Sequence, residues 1–407
     1  MRGLWSPHHG TLHRIEEGCK EMGEKVGIAI IGCGGMAGAH KNGFKALWER
    51  GIRDFEIVAT CDIEEGRAIR MAEEIERFQG KRPTSYTDFE KMLSSESSID
   101  AVDICTLHRN HHTIAVPCIE AGKHVTIEKP LAITMRAGKK ILDAAERKGV
   151  ILQVAENYRR DPSHRAINWA IRRGMIGNVR MIYWIDVGER LWYWEWREHK
   201  LDAGGGWSLD GGVHFADLFR YHVGEVERLY AGVKAFHPYR YRDPKKREEP
   251  IEVDVEDTTI AVLHFRNGSM GQWTSTSAAP GEGFSKRVIY GDEGSIDFGA
   301  GLKAKDKAIP IRELVEMFWS SISEEEKERL FPKGITDTVA TELKEFVDAV
   351  RGISRVETDG MEGYKDEAIS IALYESAWLD RPVRIEDIEE LKVEGYQAEI
   401  NRRLGIS

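Results

Sequence analysis

The sequence is poor in cysteine and contains no long apolar run. Five of its 407 residues are cysteine and none forms a Cys-x-x-Cys pair, a pattern typical of reduced, packed thiols in a cytoplasmic protein. No segment offers the roughly 18 uncharged apolar residues that a membrane span requires. We therefore expect a cytoplasmic protein without a membrane partner.

The first residues also lack the apolar centre of a secretory signal peptide. They are basic and aromatic instead, and the first strongly apolar run begins only after Met22. We predict that residues 1–24 are a disordered extension and that Met22 is the natural start. The alternative is a real N-terminal arm that docks on a neighbouring subunit.

An excess of positive charge is absent as well. The net charge of −10 is spread thinly along the chain, which argues against nucleic acid as a partner. Apolar residues make up 41% and charged residues 31% of the sequence, the balance of a globular protein. At this length two domains are the default expectation.

The first part of the chain, residues 25–155, alternates short apolar runs with amphipathic stretches. Strands alternating with helices in this way predict a parallel βαβ sheet. The predicted strands lie at 26–32, 55–62, 101–106, 124–128 and 151–155.

The second part, residues 156–385, has longer strand patterns that follow one another closely. Asn267-Gly268 between two of them is a two-residue hairpin signal, so we predict a second α/β domain with a large, mainly antiparallel open sheet. A charged helical tail is predicted at 386–407. The predicted strands lie at 179–188, 228–236, 258–265, 269–276 and 287–290.

A glycine-rich turn follows the first predicted strand directly. Gly32, Gly34 and Ala37 give the spacing Gly-x-Gly-x-x-Ala at the start of a helix. The first glycine permits the tight turn, the second lets the backbone approach a pyrophosphate, and the alanine lets the helix pack on the strand. This predicts an N-terminal Rossmann dinucleotide-binding domain, although such a cluster on its own is often a flexible turn.

Asp62 ends the second predicted strand. A carboxylate there accepts hydrogen bonds from the adenosine ribose hydroxyls and repels a 2′-phosphate. We therefore predict NAD as the cofactor in preference to NADP, although Arg67 lies close enough in sequence to weaken that exclusion. The alternative role for Asp62 is an ordinary helix cap.

Two further features suggest redox chemistry on a hydroxyl or a carbonyl group. Lys129 follows the predicted strand at 124–128, at the sheet edge where such folds bind ligands. Asp210 and His214 have the spacing i, i+4, which on a helix brings both side chains to one face within reach of one another; a surface pair is the alternative. Gly211 and Gly212 are costly inside a helix, and we attribute them to the close approach of a flat cofactor ring or substrate.

Together these motifs resemble the Gfo/Idh/MocA family of sugar oxidoreductases. The resemblance covers the chain from Lys25 to Pro382 and implies hydride transfer between a nicotinamide and a hydroxyl-bearing carbon of a sugar or cyclitol. It also implies a homodimer or homotetramer. The motifs are Gly32-x-Gly34-x-x-Ala37, Ala121-Gly122-Lys123-His124-Val125 leading into Glu128-Lys129-Pro130, Glu156-Asn157-Tyr158-Arg159, and Asp210-x-x-x-His214.

The resemblance implies that Lys129 is the catalytic lysine, with Asp210 and His214 as its partners. Oxidation of an alcohol needs a base for the hydroxyl proton, and we assign it to His214, with Asp210 orienting it or the substrate. Lys129 would polarise the oxygen, and the roles of Lys129 and His214 could be exchanged. The expected cofactor contacts are Gly32, Gly34, Gly35, Met36, Ala37, Asp62, Arg67, Thr106, Leu107, His108, His111, Glu128, Lys129 and Asn157. The expected substrate contacts are Lys129, Tyr158, Arg159, Trp194, Arg197, Trp207, Asp210 and His214.

One stretch departs from the family pattern, which usually has Thr-Pro-Asn after the third core strand. Thr106 and His111 match, but Leu107 and His108 do not, so we expect the loop beside the nicotinamide to differ in shape. No carboxylate or cysteine cluster accompanies these histidines, and we predict no metal site.

Aromatic residues are crowded before Asp210, which favours a carbohydrate pocket. Core or interface positions are the alternative for each of them. They are Trp184, Trp192, Tyr193, Trp194, Trp196 and Trp207.

The leading hypothesis is an NAD-dependent dehydrogenase of a sugar, sugar derivative or cyclitol. A second is a retained-NAD enzyme that oxidises one hydroxyl transiently without net redox. A third is a non-catalytic NAD-binding sensor. Lys129, Asp210 and His214 count against the sensor because it needs no base.

Overall fold

The computed structural model describes residues 25–305 and 307–407, and the predicted N-terminal extension lies outside them. Six parallel strands form the first sheet, in the order β3-β2-β1-β4-β5-β6. They are β1 (Val26–Ile31), β2 (Phe55–Cys61), β3 (Thr84–Tyr86), β4 (Ala101–Ile104), β5 (His124–Glu128) and β6 (Leu152–Ala155). The connecting helices are α1 (Gly35–Glu49), α2 (Glu65–Gln79), α3 (Phe89–Ser95), α4 (His111–Glu120) and α5 (Met135–Lys148). The predicted parallel sheet is confirmed, and only the short β3 was missed.

The burial of this sheet explains why its strands are visible in the sequence. All six residues of β1 are buried, and strands covered on both faces are apolar along their whole length. The strand order changes direction between β1 and β4, and sheets of this kind bind ligands at the carboxyl ends of the strands at that point. Because β1 and β5 both end there, Gly32 and Lys129 reach the same edge of the sheet.

Nine strands form the second sheet, in the order β16-β15-β14-β13-β7-β12-β11-β8-β17. Neighbouring strands are antiparallel except for the pair β7 and β12. The predicted hairpin at Asn267-Gly268 is confirmed, with Gly268 at φ +88. The strands are β7 (Val179–Val187), β8 (Val226–Lys234), β11 (Thr258–Phe265), β12 (Met270–Thr276), β13 (Phe284–Gly291), β14 (Gly294–Asp297), β15 (Gly301–Ala304), β16 (Lys307–Pro310) and β17 (Val383–Arg384), with β9 (Tyr239–Arg240) and β10 (Ile251–Glu252) forming a separate pair.

Helices cover one face of the second sheet. Trp184 of β7 packs on Phe215 with ring centroids 4.6 Å apart, and Trp273 of β12 packs on Phe219 at 5.4 Å, which makes a buried aromatic layer under α9. The helices of this half are α6 (Pro162–Arg172), α7 (Lys200–Ala203), α8 (Trp207–Asp210), α9 (Gly212–His222), α10 (Ile311–Ser321), α11 (Glu324–Leu330), α12 (Thr338–Val350), α13 (Gly360–Leu379), α14 (Ile385–Glu389) and α15 (Ala398–Leu404).

The chain returns to the first sheet late in its course. Leu343 and Phe346 of α12 belong to the same buried cluster as Phe44 and Leu47 of α1, so this helix packs across the boundary predicted between residues 155 and 156. The predicted tail consists of the two short helices α14 and α15. Within residues 25–305 and 307–407, every helix is too short or too polar to cross a membrane.

Candidate active site

The glycine-rich turn joins β1 to α1 at the switch point of the first sheet. Gly32 has φ +87, and a Cβ there would lie 2.5 Å from the carbonyl oxygen of Cys105, so the turn requires glycine. Gly34 begins α1 without a side-chain cap. A Cβ placed at Gly34 or Gly35 would have no described atom within 4 Å apart from those of its chain neighbours and of the helix backbone. Gly34 and Gly35 therefore leave room for a ligand beside the N-terminus of α1, an arrangement that suits a pyrophosphate.

Two backbone donors orient Asp62 at the end of β2. The N–H of Cys33 donates to Oδ2 at 2.8 Å, and the N–H of Glu64 donates to Oδ1 at 2.9 Å. Each oxygen keeps a second lone pair for a ribose hydroxyl. Arg67 lines the same cleft, but its guanidinium is ion-paired with Glu64 at 3.0 Å. The turn and Asp62 together fit a dinucleotide.

The loop after β4 contains the residues that depart from the family pattern. Thr106, Leu107 and His108 line the cleft. His111 does not: it is buried beneath the loop, with Nδ1 2.9 Å from the carbonyl oxygen of Pro130. Burial lowers the pKa of His111 to about 4, helped by His108. The expected cofactor contact of His111 is therefore corrected to a role in holding the loop.

Lys129 reaches across the cleft from the end of β5. Its Nζ donates to the backbone oxygen of Asp210 at 2.6 Å and to Oδ1 of the same residue at 3.1 Å. Burial acts to lower the pKa of Lys129, but the carboxylates of Asp210 and Glu128 outweigh it and hold the pKa above its ordinary value. Lys129 is thus a fixed cation.

Asp210 accepts more than one cationic partner. Besides Lys129, Nε2 of His108 lies 3.2 Å from Oδ1, and Nε of Arg197 donates to Oδ2 at 3.2 Å. Burial would raise the pKa of Asp210, but Lys129 and then His108 and Arg197 hold it well below its usual range. This carboxylate is therefore ionised, and it positions a cluster of positive groups.

His214 has a different partner from the one expected. Its Nδ1 lies 2.6 Å from Oε1 of Glu156, and its ring stacks on Tyr158 with centroids 3.9 Å apart and an interplanar angle of 1°. Its Nε2 has no hydrogen-bond partner among the described residues. The expected contact with Asp210 is wrong because both side chains pair with other residues: Asp210 with Lys129, His108 and Arg197, and His214 with Glu156.

The two glycines between Asp210 and His214 admit flat groups, but those groups are side chains of the protein. A Cβ at Gly211 would lie 2.6 Å from the ring of Trp207, and a Cβ at Gly212 would lie 2.9 Å from the ring of Trp273. The explanation by an approaching cofactor or substrate is therefore corrected. The glycines instead let two tryptophans lie against the backbone that carries Asp210 and His214.

Arg159 does not line the cleft. It is buried, and its Nε donates to Oδ1 of Asp217 at 2.9 Å, so the expected substrate contact is corrected to a structural ion pair.

Arg197 lines the cleft and stacks over Trp194 and Trp196, with its guanidinium carbon 4.7 Å and 4.4 Å from the ring centroids.

Beneath Lys129 lies a buried charge network that sequence reasoning missed. His40 of α1 has Nδ1 3.0 Å from the Asp103 carboxylate and Nε2 2.9 Å from Oε1 of Glu128. Burial would lower the pKa of His40, but Asp103 outweighs it and raises the pKa well above its usual value. Both ring nitrogens face carboxylates, so His40 is doubly protonated, and it lowers the pKa of Glu128 against the effect of burial.

The same histidine belongs to a group of potential metal ligands. His40, Asp103 and Cys105 offer ligand atoms within 4.8 Å of one another among the described residues. Burial raises the pKa of the Cys105 thiol, with Asp103 adding to the rise, and His40 uses both nitrogens in its ion pairs. The group is therefore satisfied by protons and ion pairs.

The cleft has a volume of ≈1080 Å³, and most of the expected site residues line it. Ala37, which is buried against the strand, joins His111 and Arg159 as expected site residues that do not line it. Glu156, whose motif was noticed but whose role was not, is the main functional residue missed. The expected residues that line the cleft are Gly32, Gly34, Gly35, Met36, Asp62, Arg67, Thr106, Leu107, His108, Glu128, Lys129, Asn157, Tyr158, Trp194, Arg197, Trp207, Asp210 and His214.

Fold and site together define a nicotinamide-dinucleotide-dependent oxidoreductase with two α/β domains. Residues 26–156 match the model of an oxidoreductase family described by its NAD-binding Rossmann fold, and residues 169–385 match that of its C-terminal alpha/beta domain. The chain therefore belongs to the Gfo/Idh/MocA family, as the sequence motifs predicted.

The alignments with known relatives cover nearly the whole length of each relative. Levoglucosan dehydrogenase of Pseudarthrobacter phenanthrenivorans is 29% identical over 400 residues, covering 88% of this chain and 99% of the relative. Myo-inositol 2-dehydrogenase of Thermotoga maritima is 24% identical over 371 residues, covering 89% and 99%. A solved structure of levoglucosan dehydrogenase with NADH and levoglucosan superimposes with a TM-score of 0.70 at 24% identity, over 89% of this chain and 99% of that one, which supports the same fold.

Proposed function

We propose that the protein is an NAD-dependent dehydrogenase that interconverts a secondary hydroxyl and a keto group of a sugar, sugar derivative or cyclitol. The observation that carries the proposal is one cleft that contains the glycine-rich turn, Asp62, Lys129, Asp210 and His214. When bound, the dinucleotide supplies the two-electron acceptor. The names of the relatives, which act on levoglucosan and myo-inositol, support a polyhydroxylated substrate.

The geometry supports His214 as the acid–base group. Glu156 accepts from Nδ1, which fixes the tautomer and leaves the lone pair on Nε2. This nitrogen takes the hydroxyl proton in oxidation and returns it in reduction. Lys129 keeps its proton and stabilises the negative charge that develops on the reacting oxygen. Asp210 holds Lys129 at that position.

The cofactor preference rests on Asp62 and Arg67. The oriented carboxylate of Asp62 suits the ribose hydroxyls and opposes a 2′-phosphate. Arg67 is the neighbouring cation that would bind such a phosphate, and it is engaged by Glu64. These contacts support NAD over NADP.

The open face of the second sheet supports the predicted homodimer or homotetramer. Tyr230, Ile260, Val262 and Met270 project from three adjacent strands of that face and are 41–54% exposed. An exposed patch of large apolar side chains marks an interface in most proteins. Light scattering of the purified protein measures the oligomeric state, and a monomer would overturn the inference. A cytoplasmic location stays a prediction.

The test of the function is NADH formation, followed by its near-ultraviolet absorbance, against a panel of sugars, cyclitols and glycosides. NAD and NADP are compared in parallel. We expect turnover with NAD, and the pattern of accepted epimers identifies the oxidised carbon. Substrate conversion without net NADH would favour the retained-NAD alternative. Tight NAD binding with no conversion of any sugar would favour the sensor.

A further inference from the structure

A second cavity adjoins the cleft at the end of the second sheet. Its volume is ≈650 Å³, within the range of about 300–1,000 Å³ typical of ligand pockets. Trp194 and Trp207 line both the cavity and the cleft. These two tryptophans therefore lie at the boundary between the cleft and the second cavity.

An ordered aromatic wall runs through the second cavity. The ring of Trp194 lies 5.6 Å from that of Trp192 and 5.7 Å from that of Trp207, between centroids. The guanidinium of Arg190 stacks 5.2 Å from Trp192 and 5.4 Å from Trp194, and Glu198 holds it at 2.7 Å. The rings are thus fixed before any ligand arrives, which reduces the entropy that binding costs.

The remainder of the cavity is rich in hydroxyl groups and poor in positive charge. Ser275, Ser277 and Ser285 line it, together with four acidic residues, Asp186, Glu189, Glu256 and Asp257. Among the described residues that line it, Arg190 is the sole cation, and Glu198 engages it. Phosphate groups are bound by free arginine and lysine side chains, so this lining disfavours an anionic ligand such as a nucleotide diphosphate.

We propose that the second cavity is a subsite for a second, uncharged sugar ring, so that the substrate is a glycoside or disaccharide. Flat aromatic faces pack against the apolar C–H faces of a pyranose, and serine hydroxyls and carboxylates bind its hydroxyl groups. The reacting ring lies in the cleft beside Lys129 and His214, and the second ring lies against Trp192. The assignment of the reacting ring rests on the proposed function.

The experiment compares the wild type with Trp192→Ala and Trp192→Phe. Trp192 lines the second cavity and does not line the cleft. For the sugar that the NADH panel accepts, KM and kcat are measured for the methyl glycoside and for the disaccharide with the same reacting ring. We expect Trp192→Ala to raise the KM ratio of disaccharide to methyl glycoside by about 3- to 10-fold. Trp192→Phe retains a flat ring and should restore most of the ratio.

Trp378→Ala is the matched control because Trp378 is 64% exposed and lines neither cavity. A KM ratio that is the same in Trp192→Ala, Trp378→Ala and the wild type overturns the subsite. So does an equal rise in KM for both sugars. If no sugar yields NADH, the proposed function fails, and the subsite is then tested by calorimetric titration of the NAD-loaded protein with maltose, cellobiose and lactose. Binding that Trp192→Ala weakens supports it, and no binding overturns it.

Discussion

Replacing Lys129 with methionine separates the two roles of this residue, because it stabilises a buried carboxylate and also faces the reacting oxygen. The change removes a donor 3.1 Å from Oδ1 of Asp210. Breaking a buried ion pair from one side costs about 3–5 kcal/mol. Since His108 and Arg197 still face the carboxylate at 3.2 Å, we expect a loss at the lower end, roughly 3 kcal/mol.

The second substitution, Asp210→Asn, tests that calculation. In the double variant Lys129→Met/Asp210→Asn the buried negative charge is gone, so the urea midpoint should recover part of the loss seen in Lys129→Met. Turnover should not recover, because the cation that stabilises the developing oxyanion is still missing. Removing one such group lowers kcat by about 10²–10³-fold.

Three measurements are needed: urea unfolding, NADH formation and calorimetric NAD binding. NAD binding should be nearly unchanged in every variant, since the turn and Asp62 are intact. A double variant no more stable than Lys129→Met would refute the electrostatic reasoning. Normal turnover in Lys129→Met would refute the active-site assignment.

Three further substitutions test other contacts. Asp62→Ala should weaken NAD binding about 10- to 100-fold, because charge-assisted hydrogen bonds to the ribose are lost, and should weaken NADP binding less. If calorimetry finds an unchanged ratio of NAD to NADP affinity, the ribose contact is refuted. Glu156→Gln should lower kcat by about 10²-fold or more with NAD affinity retained, and an unchanged kcat would remove Glu156 from the role of positioning His214. Burial raises the pKa of Glu367 well above its usual value in the folded protein, whereas in the unfolded chain this carboxyl ionises at about pH 4.3. The folded protein therefore loses stability relative to the unfolded chain as pH rises from that value to the pKa in the folded state. Glu367→Gln should remove this loss and raise the Tm at pH 8 but not at pH 4, by roughly 2 °C; an equal shift at both values would contradict it.

The sequence predicted those parts of the site that depend on the ends of regular elements. Gly32, Asp62 and Lys129 each follow a buried parallel strand, and the fold brings such strand ends to one edge whatever the connecting helices do. The motif spacing therefore carried three-dimensional information. The strands β14–β16, of four residues each, were missed, because elements this short leave little periodicity in the sequence.

The side-chain partners of the site residues were harder to predict from the sequence. The spacing of Asp210 and His214 predicted a contact between them, but each side chain pairs with a residue from another part of the chain. The partner of His214 is Glu156, which lies on the connection after β6 in a motif that had no assigned role. His40 and Glu128 are 88 residues apart and meet only in the folded protein, and no local pattern reports a contact of that kind. Sequence thus located the groups, while tertiary packing decided which of them pair.

That pairing bears on which group moves the proton. Contacts between opposite charges run from Asp103 through His40 to Glu128, and from Lys129 to Asp210. The Glu128 carboxylate accepts from the backbone N–H of Lys129 and acts on the ammonium group through space. The Lys129 ammonium contacts the Asp210 carboxylate directly, and losing its proton would break this buried ion pair from one side. A group held in this way is suited to stabilise an oxyanion and poorly suited to act as a base. The group that we propose for proton transfer is therefore His214, which has one nitrogen held by Glu156 and no partner for the other among the described residues.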